Sequence, residues 1–344
     1  MTGIHVLVTG GAGFIGSHLV DLLLEEPGNR VTVLDRLSPG GTRANLEHHD
    51  ADQRFAFVLG DVNDTTTVKK LVAEVDAVVH AAAEAHVDRS IDAPRVFLES
   101  NVLGTQVMLD ACRHYGTRML MVSTDEVYGP GDPAGGMFQE EDGLRPRSPY
   151  AASKAAADLL SLTYYATYGA PVIVVRGTNA FGPRQIQRVV PTYTIAALEG
   201  RPVPVYGEGR QRREFLHVRD WARAALLVLE RGEPGLVYNI GAGVELENVE
   251  LARKICRLAE APESLVTFVA DRPGHDFRYG VSAERVLALG WRPEIPFDEG
   301  LADTVAWYRE HMEWLRRAHL APVVTSPRET LVGGDRQTSA AEQR

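Results

Sequence analysis

Cysteine is nearly absent: Cys112 and Cys256 are the only two in 344 residues, and they form neither a C-x-x-C pair nor metal-ligand spacing. A disulfide scaffold and a cysteine-held metal are thereby excluded. No metal is expected, and both thiols are expected as small buried side chains of a reducing compartment. Lysine is also scarce, at 69, 70, 154 and 254, so arginine supplies most of the positive charge. Long apolar runs are missing, and none reaches the roughly 20 residues of a bilayer-spanning helix. No leader is expected ahead of Ile4–Val8, which already reads as a first strand. The cytoplasm is the expected location. Positive charge is outnumbered, 36 Lys and Arg against 46 Asp and Glu. The net charge of −10 opposes nonspecific attraction to nucleic acid or acidic membrane, so neither is an expected partner.

Against these absences stands a regular alternation. Short β-branched runs at Ile4–Val8, Val31–Leu34, Phe55–Leu59, Ala77–His80, Met119–Val122 and Val172–Val175 alternate with helical stretches near 14–25, 64–74, 94–115 and 150–168. That rhythm predicts an α/β fold, a Rossmann-like, doubly wound parallel sheet covered on both faces. After Arg176 the loops lengthen and gain Gly, Pro and Arg, with helices expected near 190–199, 218–231, 247–259 and 298–315. The expected organisation is a dinucleotide-binding domain over 1–176 and, over 177–321, a smaller α/β substrate-binding lobe interleaved with the last sheet strands. Residues 322–344 are polar and aperiodic, and a disordered tail is expected there.

The segment Thr9-Gly10-Gly11-Ala12-Gly13-Phe14-Ile15-Gly16 follows the first strand and opens a helix. Gly10 and Gly13 permit a tight turn and close approach to a pyrophosphate, and Gly16 permits helix–strand packing. The helix start, including Phe14 and Ile15, offers N–H groups and a positive dipole end. A glycine triplet alone is weak evidence; the strand–turn–helix context and Asp35 at the end of the second strand strengthen it. A carboxylate there accepts from the adenosine ribose and repels a 2′-phosphate, favouring NAD over NADP. Arg36 is expected along the adenine face, with Asp61 and Val62 at the adenine edge.

Tyr150 and Lys154 stand one helical turn apart on one face. Lys154 is expected to bind the nicotinamide ribose and lower the Tyr150 pKa, making the phenol a usable base. Ser123-Thr124-Asp125-Glu126-Val127-Tyr128-Gly129 follows an apolar strand, so its side chains emerge at the carboxyl edge of the sheet, where ligands bind. Two adjacent carboxylates there suggest divided acid and base roles. A solvated turn would not explain why a hydroxyl pair precedes them at the end of a buried strand.

These motifs make the chain similar to the dTDP-glucose 4,6-dehydratases. Ser123–Gly129 resembles that family's S-T-D-E-V-Y-G, and His80–Ser90 (HAAAEAHVDRS) and Ser148–Lys154 (SPYAASK) match it too. Arg213–Val218 and Arg272–Asp276 extend the similarity over nearly the whole chain except the tail. The resemblance implies that Tyr150 removes the sugar C4 hydroxyl proton while Thr124 positions that oxygen. Glu126 takes the C5 proton, and Asp125 protonates the departing C6 hydroxyl. It also implies Ala81, Ala82 and Ala83 at the cofactor, and His86, Asn179, Arg188, Val189, Pro204, Arg213, Asn239 and Arg278 at a nucleoside-diphosphate sugar. A homodimer is expected, with Leu103, Val107, Ala111, Leu159 and Leu162 as candidate contacts. The chain departs from the family pattern at Ala85 and Ala180, where serine and asparagine are usual. The alternatives are a nucleotide-sugar 4-epimerase or decarboxylase, which need no acid–base pair across C5 and C6, and a non-catalytic NAD-binding regulatory protein.

Overall fold

The computed structural model describes residues 1–132, 135–186, 188–271 and 276–318. Gln187, the Arg272–His275 part of the motif and the tail expected to be disordered lie outside the described residues. Among the described residues there are twelve strands: β1 His5–Thr9, β2 Arg30–Asp35, β3 Phe55–Leu59, β4 Ala77–His80, β5 Arg118–Thr124, β6 Val172–Gly177, β7 Asn179–Phe181, β8 Val203–Tyr206, β9 Arg212–His217, β10 Val237–Ile240, β11 Glu245–Glu247 and β12 Val266–Val269. Seven of them form one parallel sheet in the order β10-β6-β5-β4-β1-β2-β3. The expected Rossmann-like fold is therefore the observed one. The order reverses beside β1, and that switch point opens a crevice at the carboxyl edge.

Successive side chains of a strand point to opposite faces, and both faces here are apolar. Val6 and Val8 of β1 pack into a cluster with Leu19, Leu23 and Trp221, beneath helices Phe14–Glu25 and Val218–Arg231. Leu7 points the other way, into a cluster with Met108, Met119, Met121 and Ala157. Helices Gly104–Tyr115 and Pro149–Tyr168 cover that second face. Strand β10 comes late in the chain yet pairs with β6 at the sheet edge. A third cluster around Phe181, Tyr193, Phe215, Leu251 and Leu301 sits under two small sheets, β11-β9-β7 and β12-β8. Both cysteines are buried and unpaired, and burial pushes the Cys112 thiol up to about 12. Among the described residues no helix is long and apolar enough to cross a membrane.

The helix expected over 94–115 is interrupted. It runs as Pro94–Phe97, a wider π turn at Leu98–Leu103, then Gly104–Tyr115. The π turn buries Asn101, whose amide holds both main-chain groups of Glu84: Glu84 N donates to Oδ1 at 2.8 Å and Nδ2 donates to Glu84 O at 2.9 Å.

Candidate active site

The glycine turn is built as the spacing demands, with one reassignment. Gly10 has φ +70° and a Cβ there would lie 2.7 Å from the Ala82 backbone. Gly16 packs against the turn itself, since its Cβ would fall 2.1 Å from Gly10 O. Gly11, not Gly16, makes the close approach to a strand: its Cβ would meet the Val33 side chain at 2.7 Å. Gly13 is the N-cap of the following helix and brings no side-chain cap, so the first-turn amides of Phe14, Ile15 and Gly16 face outward uncapped.

Asp35 ends β2 as a nearly buried carboxylate, its oxygens accepting from Ala12 N at 2.9 Å and Leu37 N at 2.7 Å. Burial raises its pKa despite those bonds. Arg36 does not lie free along a face. Its Nη1 donates to Asp61 Oδ2 at 2.9 Å and its Nη2 to Glu84 Oε1 at 2.5 Å. Asp61 also receives Asn63 N, and Val62 is buried against Gly104.

The segment Ala81–Ala83 is pinned through a buried chain. Ala82 N donates to Thr9 Oγ1 at 3.3 Å, and Thr9 Oγ1 meets His80 Nδ1 at 2.7 Å. His80 Nε2 meets Thr105 Oγ1 at 3.1 Å, and that hydroxyl donates to Asn101 O. Thr105 therefore accepts from His80, which must carry its proton on Nε2. Burial, then the nearby Lys154 charge, push this histidine down to about 3, so it is neutral.

Helix Pro149–Tyr168 starts cleanly because Ser148 caps it, accepting from Ala151 N, and Pro149 needs no partner at its first position. It places Tyr150 and Lys154 against the end of β5. Lys154 Nζ donates to Val122 O at 2.6 Å, and burial lowers its pKa to about 8. Burial raises the Tyr150 phenol first and the Glu126 charge second, while Arg188 and a hydrogen bond with Thr124 oppose them.

After β5 the chain turns through a short 3-10 segment, Asp125–Tyr128, capped by Thr124 Oγ1. Asp125 is buried, Oδ1 accepting from the Thr124 hydroxyl at 3.2 Å and Oδ2 having no partner among the described residues. Its pKa rises to about 8. The adjacent Glu126 contributes, as the sequence predicts, but burial is the larger cause, and a third comes from Glu214. Glu126 is half-buried beside it. Thr124, Asp125, Glu126 and Tyr150 thus form one constellation, with Arg188 and Arg213 in electrostatic reach.

The expected substrate residues divide. Arg188 donates to Ala85 O at 2.6 Å, and Val189 opens the next helix. His86 caps helix Val87–Asp92, Asn179 starts β7, and Pro204 lies in β8 opposite Thr267. Arg213 is buried over the Tyr279 ring and donates to the carbonyls of Arg212, Asp276 and Phe277. Two more are hydrogen-bonded within the fold. Arg278 is 2% exposed and shared between the Glu245 carboxylate and the carbonyls of Asp132 and Gly136, so it braces a loop. Asn239 is fully buried, with Oδ1 accepting from Tyr128 and Nδ2 donating to Phe138 O.

Sequence reasoning missed three residues. Glu84 is a buried carboxylate inside the recognised HAAAEAHVDRS run, where an acid amid alanines was the available signal. Glu214, wholly buried, carries its charge toward Asp125. Asn248 is buried at a helix start next to Gln211, and among the described residues neither its Oδ1 nor the Gln211 Oε1 has a partner. Asp21, His48 and His49 lie close enough together to share an ion, but the Arg184 guanidinium occupies the same carboxylate.

A tyrosine and a lysine one turn apart, set beside a dinucleotide turn on one parallel sheet, define the class: an extended short-chain dehydrogenase. The GDP-mannose 4,6 dehydratase family model matches residues 7–304. A dTDP-glucose 4,6-dehydratase of an Actinoplanes species is 48% identical over 318 residues, covering 90% of this chain and 99% of that one. The dTDP-glucose 4,6-dehydratase DesIV of Streptomyces venezuelae, solved with NAD, matches with a TM-score of 0.89 at 45% identity over 91% of this chain and 99% of that one. The UDP-glucose 4-epimerase of Thermus thermophilus, also solved with NAD, matches at 0.81 and 35% identity over 89% and 99%. With these relatives, the chain belongs to the nucleotide-sugar 4,6-dehydratase family.

Proposed function

We propose that the protein is an NAD-dependent nucleotide-sugar 4,6-dehydratase that converts dTDP-glucose, the leading substrate, to the 4-keto-6-deoxy sugar. The observation that carries this reading is Asp125, a buried carboxylic acid whose pKa of about 8 keeps it protonated at neutral pH, beside the Glu126 carboxylate. An epimerase fold alone would need neither, and the fold itself is common to both activities.

The dinucleotide fits the residues present. Gly10 leaves a cradle that a Cβ would fill, the helix after Gly13 presents uncapped amides, and Asp35 stands at the end of β2. Gly10, Gly13, Phe14, Ile15, Gly16, Asp35, Ala81–Ala83, Tyr150 and Lys154 would hold it. Bound NAD would supply the hydride chemistry, as acceptor at C4 of the sugar and then as donor to C6, with reprotonation at C5. The remaining steps belong to side chains. Tyr150, hydrogen-bonded with Thr124, takes the C4 hydroxyl proton as its phenolate, the form that the Lys154 ammonium on the same helix face favours. The 4-ketone acidifies C5, and Glu126 takes the C5 proton. Asp125 gives its proton to the C6 hydroxyl, which leaves as water.

Residues 177–318 with β7–β9, β11 and β12 serve in this reading as the substrate lobe, with His86, Asn179, Arg188, Val189, Pro204 and Arg213 facing the nucleotide sugar; Asn248 joins them because its buried Oδ1 lacks a partner among the described residues. A homodimer through helices Gly104–Tyr115 and Pro149–Tyr168 is supported by Leu103 and Leu159, which are 54% and 53% exposed. Ala111, expected in that contact, is core. Two buried, unpaired cysteines fit a cytoplasmic enzyme.

The test is incubation of the purified protein with dTDP-glucose in D₂O. Loss of water with deuterium retained at C5 supports the reading, and Glu126→Gln is expected to block it while leaving NAD binding intact. An isomerised hexose of unchanged mass would replace it with epimerisation.

A further inference from the structure

An arginine directly after the acidic residue that ends β2 stands where a 2′-phosphate would arrive, and such a residue ordinarily favours NADP. Arg36 is in that position, yet its guanidinium is held from both ends. Asp61 Oδ2 accepts Nη1 at 2.9 Å, and Glu84 Oε1 accepts Nη2 at 2.5 Å. Glu84 is the fixed partner of the two. It is 3% exposed, whereas the Asp61 side chain is 38% exposed. Its other oxygen accepts Arg89 Nη1 at 2.6 Å, and Asn101 clamps its backbone on both sides.

Resting on the NAD reading above, we infer that Glu84 is a determinant of dinucleotide choice: by sequestering Arg36 it denies a 2′-phosphate the cation it would need. The local charge supports the same conclusion. Arg36 and Arg89 face three carboxylates, Asp35, Asp61 and Glu84, so an arriving phosphate dianion meets a net negative group. Asp35 repels the 2′-phosphate directly, and Glu84 removes the countermeasure. Arg36 is one-third exposed and its remaining partner, Asp61, is exposed too, so loss of the Glu84 charge frees Nη2 to turn toward an arriving phosphate. Glutamine at position 84 preserves shape and the Asn101 clamp, which acts on the backbone.

The experiment measures Kd for NAD⁺ and NADP⁺ by calorimetry on the full-length chain freed of endogenous dinucleotide, with thermal unfolding as the control for folding. Wild-type protein is expected to prefer NAD⁺. Glu84→Gln is expected to shift the ratio toward NADP⁺ by about tenfold or more, the scale of one charge-assisted hydrogen bond. Adding Arg36→Ala should erase that gain, and Arg89→Gln alone should leave the ratio at the wild-type value, because Arg36 stays held. If Glu84→Gln does not fold, Asp61→Asn frees the same guanidinium from its exposed side and should move the ratio in the same direction. An unchanged ratio in a folded Glu84→Gln or Asp61→Asn, or a gain that survives Arg36→Ala, overturns the inference while leaving the NAD site standing. Binding of neither dinucleotide by the wild type overturns both.

Discussion

Lys154 reaches across from its helix to the carbonyl of Val122, 2.6 Å away, two residues before the Thr124 that hydrogen-bonds Tyr150. The lysine therefore fastens helix Pro149–Tyr168 to the strand that leads into the Thr124 hydroxyl and both carboxylates. Lys154→Ala is expected to lower turnover by about 10²–10⁴-fold, the range for losing a positioned acid–base group. Binding of dTDP should change little. Single-turnover kinetics beside a dTDP titration checks this, and an undiminished chemical step would remove Lys154 from the mechanism.

The proposed role of Asp125 as an acid ties elimination to stability. Its folded pKa of about 8 stands above the ordinary 3.8. Between those values the folded chain holds a proton that the unfolded chain has released, so this group's contribution is full below 3.8 and declines as pH rises to about 8. The slope is at most about 1.4 kcal/mol per pH unit. Asp125→Asn should flatten it, so urea unfolding at pH 5 and pH 7.5 should differ less in the variant than in the wild type. The same variant should lose water elimination, and wild-type turnover should fall on an alkaline limb near 8. A wild-type stability profile identical to that of Asp125→Asn would contradict the buried neutral acid.

Arg184 is a non-glycine residue at φ +69° that joins three segments. It donates to Asn45 O, to His18 Nδ1 and to Asp21. His18 therefore accepts on Nδ1 and donates from Nε2 to Pro183 O, and burial, then the Arg184 charge, hold it neutral with a pKa of about 3. Asp21 is held well below the usual carboxylate range by His49 and Arg184, which outweigh its burial. A depressed carboxylate stabilises above its unfolded pKa and loses that contribution as pH falls below about 3.8. Arg184→Ala should cost about 1–3 kcal/mol at neutral pH and less at pH 3. Arg184→Lys should not restore it, because one ammonium cannot match the fork that reaches all three acceptors. Denaturant titrations at the two pH values decide this, and equal losses at both would assign the effect to packing.

Period and punctuation alone determined the sheet, because a strand buried on both faces must be a short apolar run and a covering helix must repeat at 3.6 residues. The six strands expected before Arg176 are all present, as are the Gly10–Gly16 turn and the helix expected near 150–168, since each is local chemistry written within a few residues. The pairing of Asp125 with Glu126 was equally legible. Tertiary structure decided what depends on partners distant in the chain. Burial, more than Glu126, raises Asp125, and no pattern of neighbours states how deep a side chain will lie. Glu214 acts on Asp125 across 89 positions, and Glu84 holds Arg36 across 48. Arg278 and Asn239 had the right types for ligand contacts, yet their donors and acceptors are satisfied inside the fold. A side chain's type limits the bonds it makes; only the packed chain settles whether protein or ligand receives them.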